Sequence, residues 1–168
     1  MRYDHHPAFP LCPPRVESGT GVRVSTGRGL MSIAWNEALA IGDPIIDADH
    51  RRMIELIARL EVAAGLEIDC AGIGRTLRDL TDLCREHFAR EEALQHAVGF
   101  PETESHRTAH EMLMKRLDAV LAHFTDGCDE VRSGIVRTLG DSLATWLVSH
   151  IVNSDMEFKP YVAGAYGS

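Results

Sequence analysis

The chain has 168 residues, of which 45% are hydrophobic and 25% are charged, as in a soluble globular protein that buries one core without disulfides. Its net charge of -8 excludes nucleic acid and an anionic membrane surface as expected partners, because both would require a basic face. The 4 cysteines show no CxxC spacing, no apolar run is long enough to span a bilayer, and no secretory signal is visible. We therefore expect a cytoplasmic protein with reduced thiols.

The N-terminal stretch, residues 1–30, is rich in Pro, Gly, Ser and Thr and lacks a periodic apolar pattern, which predicts a disordered tail. The histidines in it, His5 and His6, are expected to be solvated. The segment "MSIAWNEALAIG", which starts at Met31, looks like a natural beginning. We hypothesise that residues 1–30 are a dispensable tail or a misassigned extension and that residues 31–168 form one domain; the intact mass of the native protein would decide.

Four stretches with helical apolar periodicity follow residue 43. Asp43 is suited to cap the first of them, with Pro44 at its first position, where the missing N–H does no harm. The fourth is expected to end before Pro160. Alternating β-branched runs are almost absent, so the sequence predicts an all-α fold, an up-down-up-down four-helix bundle with short connections. The predicted helices span roughly residues 43–64, 71–97, 102–127 and 129–158.

The histidines stand out, because there are 9 of them and every predicted helix places at least one on its apolar face. A single core histidine is usually satisfied by one hydrogen bond. Several buried imidazoles and a carboxylate cost several kcal/mol unless each group finds a partner. A mutual hydrogen-bond network could supply the partners, but a metal is favoured because it satisfies all the groups at once. The inward residues are His50, His87, Glu91, His106, His110 and His150.

The spacing of these residues suits chelation, because the second and third helices each carry an i,i+4 pair of candidate ligands one turn apart. The spacing of Asp155 from His150 does not fit the same face of an ideal α-helix. Asp155 lies about 140° around an ideal helix from His150, so both point inward only if the helix widens, for example in a π-type turn. His96 is predicted to be exposed, and His123 lies too far along its helix to join the others.

Four segments of the sequence together match one known pattern: a lone His, then His-x3-Glu, His-x3-His and His-x4-Asp. In this order and spacing they resemble the hemerythrin family in its bacterial single-domain form, over residues 35 to about 161. The sequence departs from the family at Gln95, where bacterial members often carry Met, and at Phe100, where Tyr is common. The matching segments are "IIDADH" before and including His50, "HFAREE" from His87, "GFPETESHRTAH" from Gly99 and "WLVSHIVNSD" from Trp146.

The resemblance implies a cofactor, a non-haem di-iron centre of two Fe ions with an oxo or hydroxo bridge. One iron would be coordinatively full, and the other would keep an open position. Imidazole also accepts manganese or zinc, so the residues by themselves leave the identity of the metal open. By resemblance, His106, His110 and His150 would bind the full iron, His50 and His87 the open one, and Glu91 and Asp155 would bridge the two.

The implied function is reversible O₂ binding for storage, delivery or sensing, with NO or azide as other exogenous ligands and an unknown protein partner. Neutral imidazoles outnumber carboxylates in the implied ligand set, and fewer anionic donors stabilise high-valent iron less well. Reversible binding is therefore favoured over O–O cleavage. The alternative is a di-iron enzyme, such as an oxidase, a peroxidase or a nitric-oxide-handling protein. Iron sequestration is disfavoured, because two irons per chain store little.

Apolar side chains about one turn from the implied ligands are predicted to wall the O₂ pocket, although any bundle core would bury them too. Leu147 is the best candidate to touch bound O₂. In "EHFAREE", Glu86, Arg90 and Glu92 are expected to be solvated charges. The predicted pocket residues are Met53, Phe88, Leu113, Trp146 and Leu147.

Overall fold

The computed structural model describes residues 34–63, 70–125 and 142–166, and these residues are helical apart from short connections, with no strand among them. The predicted all-α four-helix bundle is confirmed. Helix α2 packs along both α1 and α3 and also contacts α4. The helices are α1 (Pro44–Ala63), α2 (Cys70–Val98), α3 (Thr103–Thr125) and α4, which comprises an α-helical part at 142–150, a π-helix at Ile151–Asp155 and a second α-helical part at Met156–Tyr166. The predicted tail at residues 1–30 and the predicted start of the fourth helix near residue 129 lie outside the described residues.

The start of α1 is fixed by two aspartates. Asp43 Oδ1 accepts hydrogen bonds from the backbone N–H groups of Ile45 (2.9 Å) and Ile46 (3.0 Å), as an N-cap residue does. One turn later, the Asp47 carboxylate accepts from the N–H groups of Ile41 (2.8 Å) and Gly42 (3.2 Å). The incoming chain is thereby held against the first turn of α1, and the next inward position of the helix is His50.

The connection between α2 and α3 is short because α2 ends in a glycine cap. Gly99 adopts φ +70°, and the N–H of Phe100 donates to the Gln95 carbonyl oxygen at 2.9 Å, a Schellman-type closure. The Thr103 hydroxyl donates back to the carbonyl oxygen of Phe100 at 2.9 Å. This tight reversal sets the inward residues of α3 opposite those of α2.

The apolar core consists of two clusters, one towards each end of the bundle. The larger contains Leu60, Leu77, Leu117 and other side chains from all four helices. None of the described helices combines the length and the apolar character needed to cross a bilayer. The smaller cluster contains Ile41, Ile46, Phe100, Phe158 and Val162.

The end of α4 differs from the sequence prediction, which placed Pro160 after the helix. Met156–Tyr166 is helical, and Pro160 lies inside it. A proline there removes one backbone hydrogen bond. The loss is offset because Phe158 and Val162 on this segment are fully buried in the smaller cluster, and two such side chains contribute several kcal/mol.

Candidate metal centre

A layer of buried polar side chains crosses the bundle between the two apolar clusters. Every residue of the implied ligand set lies in it, and none is more than 6% exposed. All four helices contribute. The layer consists of His50 from α1, His87 and Glu91 from α2, His106 and His110 from α3, and His150 and Asp155 from α4.

One part of the layer brings three imidazoles to a common point. His150 Nε2 lies 2.9 Å from His110 Nε2 and 3.1 Å from His106 Nε2. Glu91 Oε2 lies 3.3 Å from His110 Nε2 and 3.4 Å from His106 Nε2. The potential ligand atoms of these four residues all lie within 4.8 Å of one another. This group could hold one metal ion.

The two oxygens of Asp155 face different histidines. Oδ1 lies 3.2 Å from His150 Nε2 and 3.3 Å from His106 Nε2, whereas Oδ2 lies 3.3 Å from His50 Nε2. The His87 ring lies beside that of His50, with 4.8 Å between ring centroids. The Asp155 carboxylate therefore connects the three-histidine group to the pair formed by His50 and His87.

The inward orientation of both His150 and Asp155 comes from the π-helix at Ile151–Asp155. The N–H of Met156 donates to the carbonyl oxygen of Ile151, five residues earlier, so the turn is wider than an α-turn. Ile151 and Asp155 are both fully buried. The predicted π-type turn is confirmed. It follows His150 directly and ends at Asp155, the two residues that an ideal α-helix could not both direct inward.

The donor atoms of this layer fit a metal. His50 Nε2, both oxygens of Glu91 and both oxygens of Asp155 are buried and form no hydrogen bond with the described residues. Leaving such atoms without a partner costs about 1–3 kcal/mol each. Imidazole nitrogens and carboxylate oxygens suit iron, zinc or manganese. A bound cation would interact favourably with the imidazole nitrogens that face one another and with the carboxylate oxygens at the same time.

The charges of the layer favour anionic carboxylates. Burial and the nearby Asp155 act to raise the pKa of Glu91, but the imidazoles of His106 and His110 outweigh both and lower it to about 2. Burial likewise acts to raise the pKa of Asp155, whereas His150 and His106 hold it well below its usual range. Both carboxylates are therefore ionised near neutral pH, as metal ligands must be.

The histidines of the three-histidine group differ from one another. Burial acts to lower the pKa of His106, but the carboxylates of Asp155 (3.3 Å) and Glu91 (3.4 Å) outweigh burial and raise the pKa to about 9. Burial lowers the pKa of His150 to about 4, against the attraction of Asp155. Without a metal, one proton on His106 therefore compensates part of the negative charge.

Two carboxylates outside the layer contact the far ring nitrogens of the histidines. Glu92 Oε1 lies 3.0 Å from His110 Nδ1, and Asp49 Oδ2 lies 3.4 Å from His87 Nδ1. Arg90 donates to Asp49 through Nε (3.0 Å) and Nη2 (2.9 Å). Such partners fix the tautomer that presents Nε2 to a metal.

These contacts correct part of the sequence analysis. Glu92 and Arg90 were expected to be solvated charges, but Glu92 contacts a histidine of the layer and Arg90 holds Asp49. Glu86 alone matches that expectation, because its side chain is 70% exposed and pairs with Arg90. Asp49 was missed altogether, since it neighbours His50 in sequence and does not lie on the apolar stripe of α1.

Two aromatic side chains cover the three-histidine group. Phe88 stacks on His110, with 3.8 Å between ring centroids and 10° between the planes. Trp146 stacks on His150 at 4.5 Å and 14°. These contacts restrict the rotation of both imidazoles and exclude water from one side of the layer.

An apolar cavity adjoins the layer and has about 10 Å³ of space for the centre of a water-sized molecule. Of the predicted pocket residues, Met53, Leu113, Trp146 and Leu147 line it, whereas Phe88 covers His110 instead. The remaining lining residues were not singled out in the sequence, because nothing distinguishes them from ordinary core positions. They are Ile57, Leu80, Cys84, Leu117 and Leu143.

Of the remaining histidines, only His96 has a side chain that the structure describes, and it does not join the layer. His96 on α2 is exposed, as predicted. The side chain of His123 lies outside the described part of the chain, as do His5 and His6, so those predictions stay untested.

Comparison with known proteins agrees with this geometry. Residues 42–162 match the model of the hemerythrin HHE cation binding domain. The bacteriohemerythrin of Stenotrophomonas maltophilia is 33% identical over 130 residues, which is 77% of this chain and 81% of that protein. The bacteriohemerythrin of Pseudomonas aeruginosa is 30% identical over 123 residues (73% and 76%), and the hemerythrin-like protein of Naegleria gruberi is 26% identical over 129 residues (74% and 89%). The chain therefore belongs to the hemerythrin family.

Proposed function

We propose that this protein binds O₂ reversibly at a non-haem di-iron centre and serves in oxygen storage, delivery or sensing. The observation that carries the proposal is the buried layer of five imidazoles and two carboxylates from four helices. Several nitrogen and oxygen atoms of these side chains form no hydrogen bond with the described residues. The names of the bacteriohemerythrin relatives favour an oxygen-binding protein over an enzyme.

Each residue of the layer has a proposed role. Asp155 and Glu91 would bridge two irons, since the Asp155 oxygens face different histidines and Glu91 Oε2 lies within 3.7 Å of His87 as well as near the three-histidine group. The iron pair would supply the two electrons that O₂ binding requires. His106, His110 and His150 would hold the coordinatively full iron, and His50 and His87 the iron with an open position.

The surroundings of the layer support reversibility. Neutral donors outnumber anionic ones, so oxidised iron is stabilised less than in a carboxylate-rich site. The cavity lined by Met53, Leu113 and Leu147 would give a small apolar ligand a dry place next to Trp146, which stacks on His150. Phe88 and Trp146 keep water from the stacked imidazoles. Protein groups thus orient the ligands and exclude water, which limits irreversible oxidation.

Metal analysis combined with optical spectroscopy tests the proposal. We expect two irons per chain and a visible band that appears with O₂ and disappears on deoxygenation without a reductant; azide should give a separate band. A single zinc without a visible band would overturn the proposal. Sustained O₂ consumption with a reductant, faster than autoxidation, would instead identify an oxidase or a related di-iron enzyme.

A further inference from the structure

Among the described residues, Gln95 on α2 is the one fully buried side-chain amide. Its side chain is 0% exposed, and neither its oxygen nor its nitrogen finds a hydrogen-bond partner among the described residues. Two buried hydroxyl groups outside the layer are satisfied, because Thr81 donates to the Leu77 carbonyl at 2.8 Å and Thr103 donates to the Phe100 carbonyl. An unpaired buried amide is costly and therefore requires an explanation.

The position of Gln95 places it at the end of the layer away from the apolar cavity. It lies one turn beyond Glu91 on the same face of α2, whereas Leu80 and Cys84, which line the cavity, precede His87. The metal layer is therefore apolar on one side and has an amide on the other.

His50 also has a buried nitrogen without a hydrogen-bond partner. Its Nε2 faces Asp155 at 3.3 Å, so this is the nitrogen that would bind a metal. A neutral imidazole that binds through Nε2 carries its proton on Nδ1. His50 Nδ1 is buried and has no acceptor in the described part of the chain. By contrast, His110 Nδ1 is hydrogen-bonded to Glu92 at 3.0 Å, and the charged Asp49 carboxylate lies 3.4 Å from His87 Nδ1, although this contact is not a hydrogen bond.

The helix register brings Gln95 and His50 to neighbouring levels of the bundle. The His50 ring lies beside that of His87 on α2. One turn earlier on α1, Ile46 belongs to the smaller cluster, against which the partly buried Leu94 on α2 packs. Gln95 therefore lies within about one turn of the level of His50, on the side towards Ile46.

We propose that Gln95 and His50 together hold one buried water molecule, through which Gln95 positions His50 as a metal ligand. The water accepts the Nδ1 proton of His50 and donates to the amide oxygen of Gln95. Neither atom has a direct partner, and a bridging water forms bonds nearly as favourable as a direct one. The inference rests on the proposed function in so far as His50 is taken to be a ligand.

A crystal structure of the zinc-loaded wild-type protein, at a resolution that shows ordered water, tests the site directly. We expect one water within hydrogen-bond distance of both His50 Nδ1 and the Gln95 amide. An empty site, or a direct bond between the two side chains, would overturn the proposal. This test does not depend on whether any variant folds.

The variant Gln95→Met tests the positioning role, because it keeps the volume of the side chain and removes the acceptor. We expect zinc affinity to fall about 10–100-fold, the usual effect of losing the hydrogen-bond partner of a ligating histidine. The Nδ1 proton of His50, followed by ¹⁵N NMR in the diamagnetic zinc protein, should exchange with solvent at least tenfold faster. Leu77→Met is the matched control: it puts the same residue at a fully buried site of the same helix and should change neither value.

The outcomes separate this inference from the proposed function. Wild-type protein that takes up zinc and shows the bridging water, but forms no reversible O₂ complex with iron, would refute the function and keep the water site. A reversible O₂ complex together with unchanged proton exchange in Gln95→Met would refute the positioning role alone.

Discussion

The raised pKa of His106 predicts that protons compete with the metal at this site. The carboxylates of Asp155 and Glu91 raise the pKa of His106 from its ordinary value of 6.5 to about 9, in spite of burial. Below pH 9 the metal-free protein therefore holds a proton on a nitrogen that a metal would use. Glu91 and His150, with pKa values of about 2 and about 4, have already lost their protons at neutral pH and do not compete.

The change in apparent metal affinity depends on the difference between the pH of the measurement and the pKa of His106. Because pH 7 lies about two units below the pKa of His106, the metal must displace a bound proton, which costs about 3 kcal/mol. Apparent metal affinity should therefore rise about tenfold per pH unit between pH 7 and pH 9, about 100-fold in all, and then level off.

Zinc is a suitable probe, because it is redox-inert and its affinity can be measured against a competing chelator of known pH dependence. The free energy of unfolding of the metal-free protein should change in the opposite direction and fall as the pH rises. A pKa raised in the folded state stabilises the fold below about pH 6.5, and this contribution is lost as the pH rises through about 9. An affinity that does not change between pH 7 and pH 9 would refute the assignment of the proton to His106.

Three substitution or labelling experiments test other parts of the centre. Glu92→Ala removes the partner of His110 Nδ1 and should lower metal affinity about 10–100-fold, whereas Glu86→Ala, at an exposed position of the same helix, should leave it unchanged; equal effects would contradict the role of Glu92. Burial raises the pKa of the Cys84 thiol to about 12, so a variant with serine at its other cysteines should react with disulfide reagents only after unfolding; rapid labelling of the folded protein would argue against this burial. Leu147→Ala should speed autoxidation by opening the cavity wall to water, and an unchanged rate would exclude a protective role.

The helices and their inward faces could be predicted because both depend on local periodicity. Caps at Asp43 and Gly99 and an apolar stripe on each helix carried that information. Asp155 shows the limit: ideal α-geometry turns it away from His150, and only the family pattern, or a π-turn assumed for this purpose, brings it inward. Pro160 was misjudged for a related reason, since burial of Phe158 outweighs a local helix-breaking signal.

The carboxylates that orient the histidines could not be found from the sequence, because their role depends on contacts between helices. Asp49 reaches His87 across the α1–α2 interface, and Glu92 reaches His110 across the α2–α3 interface. Neither lies on the stripe of its own helix that faces the core. Charged residues beside a core stripe are usually solvated, so only the register of neighbouring helices distinguishes these two.

The metal should also stabilise the fold, since the layer contains polar atoms that the protein does not satisfy. Five of them, His50 Nε2 and the carboxylate oxygens of Glu91 and Asp155, have no hydrogen-bond partner among the described residues. Free metal at about 100 times its dissociation constant adds about 2.7 kcal/mol to the free energy of unfolding, or about 5–11 °C in Tm for a domain of this size. Calorimetry of metal-free and iron-loaded protein under anaerobic conditions measures the difference. The variant His96→Ala, at an exposed histidine, should show the same difference, whereas equal Tm values for metal-free and fully loaded wild-type protein would mean that the layer finds its partners without a metal.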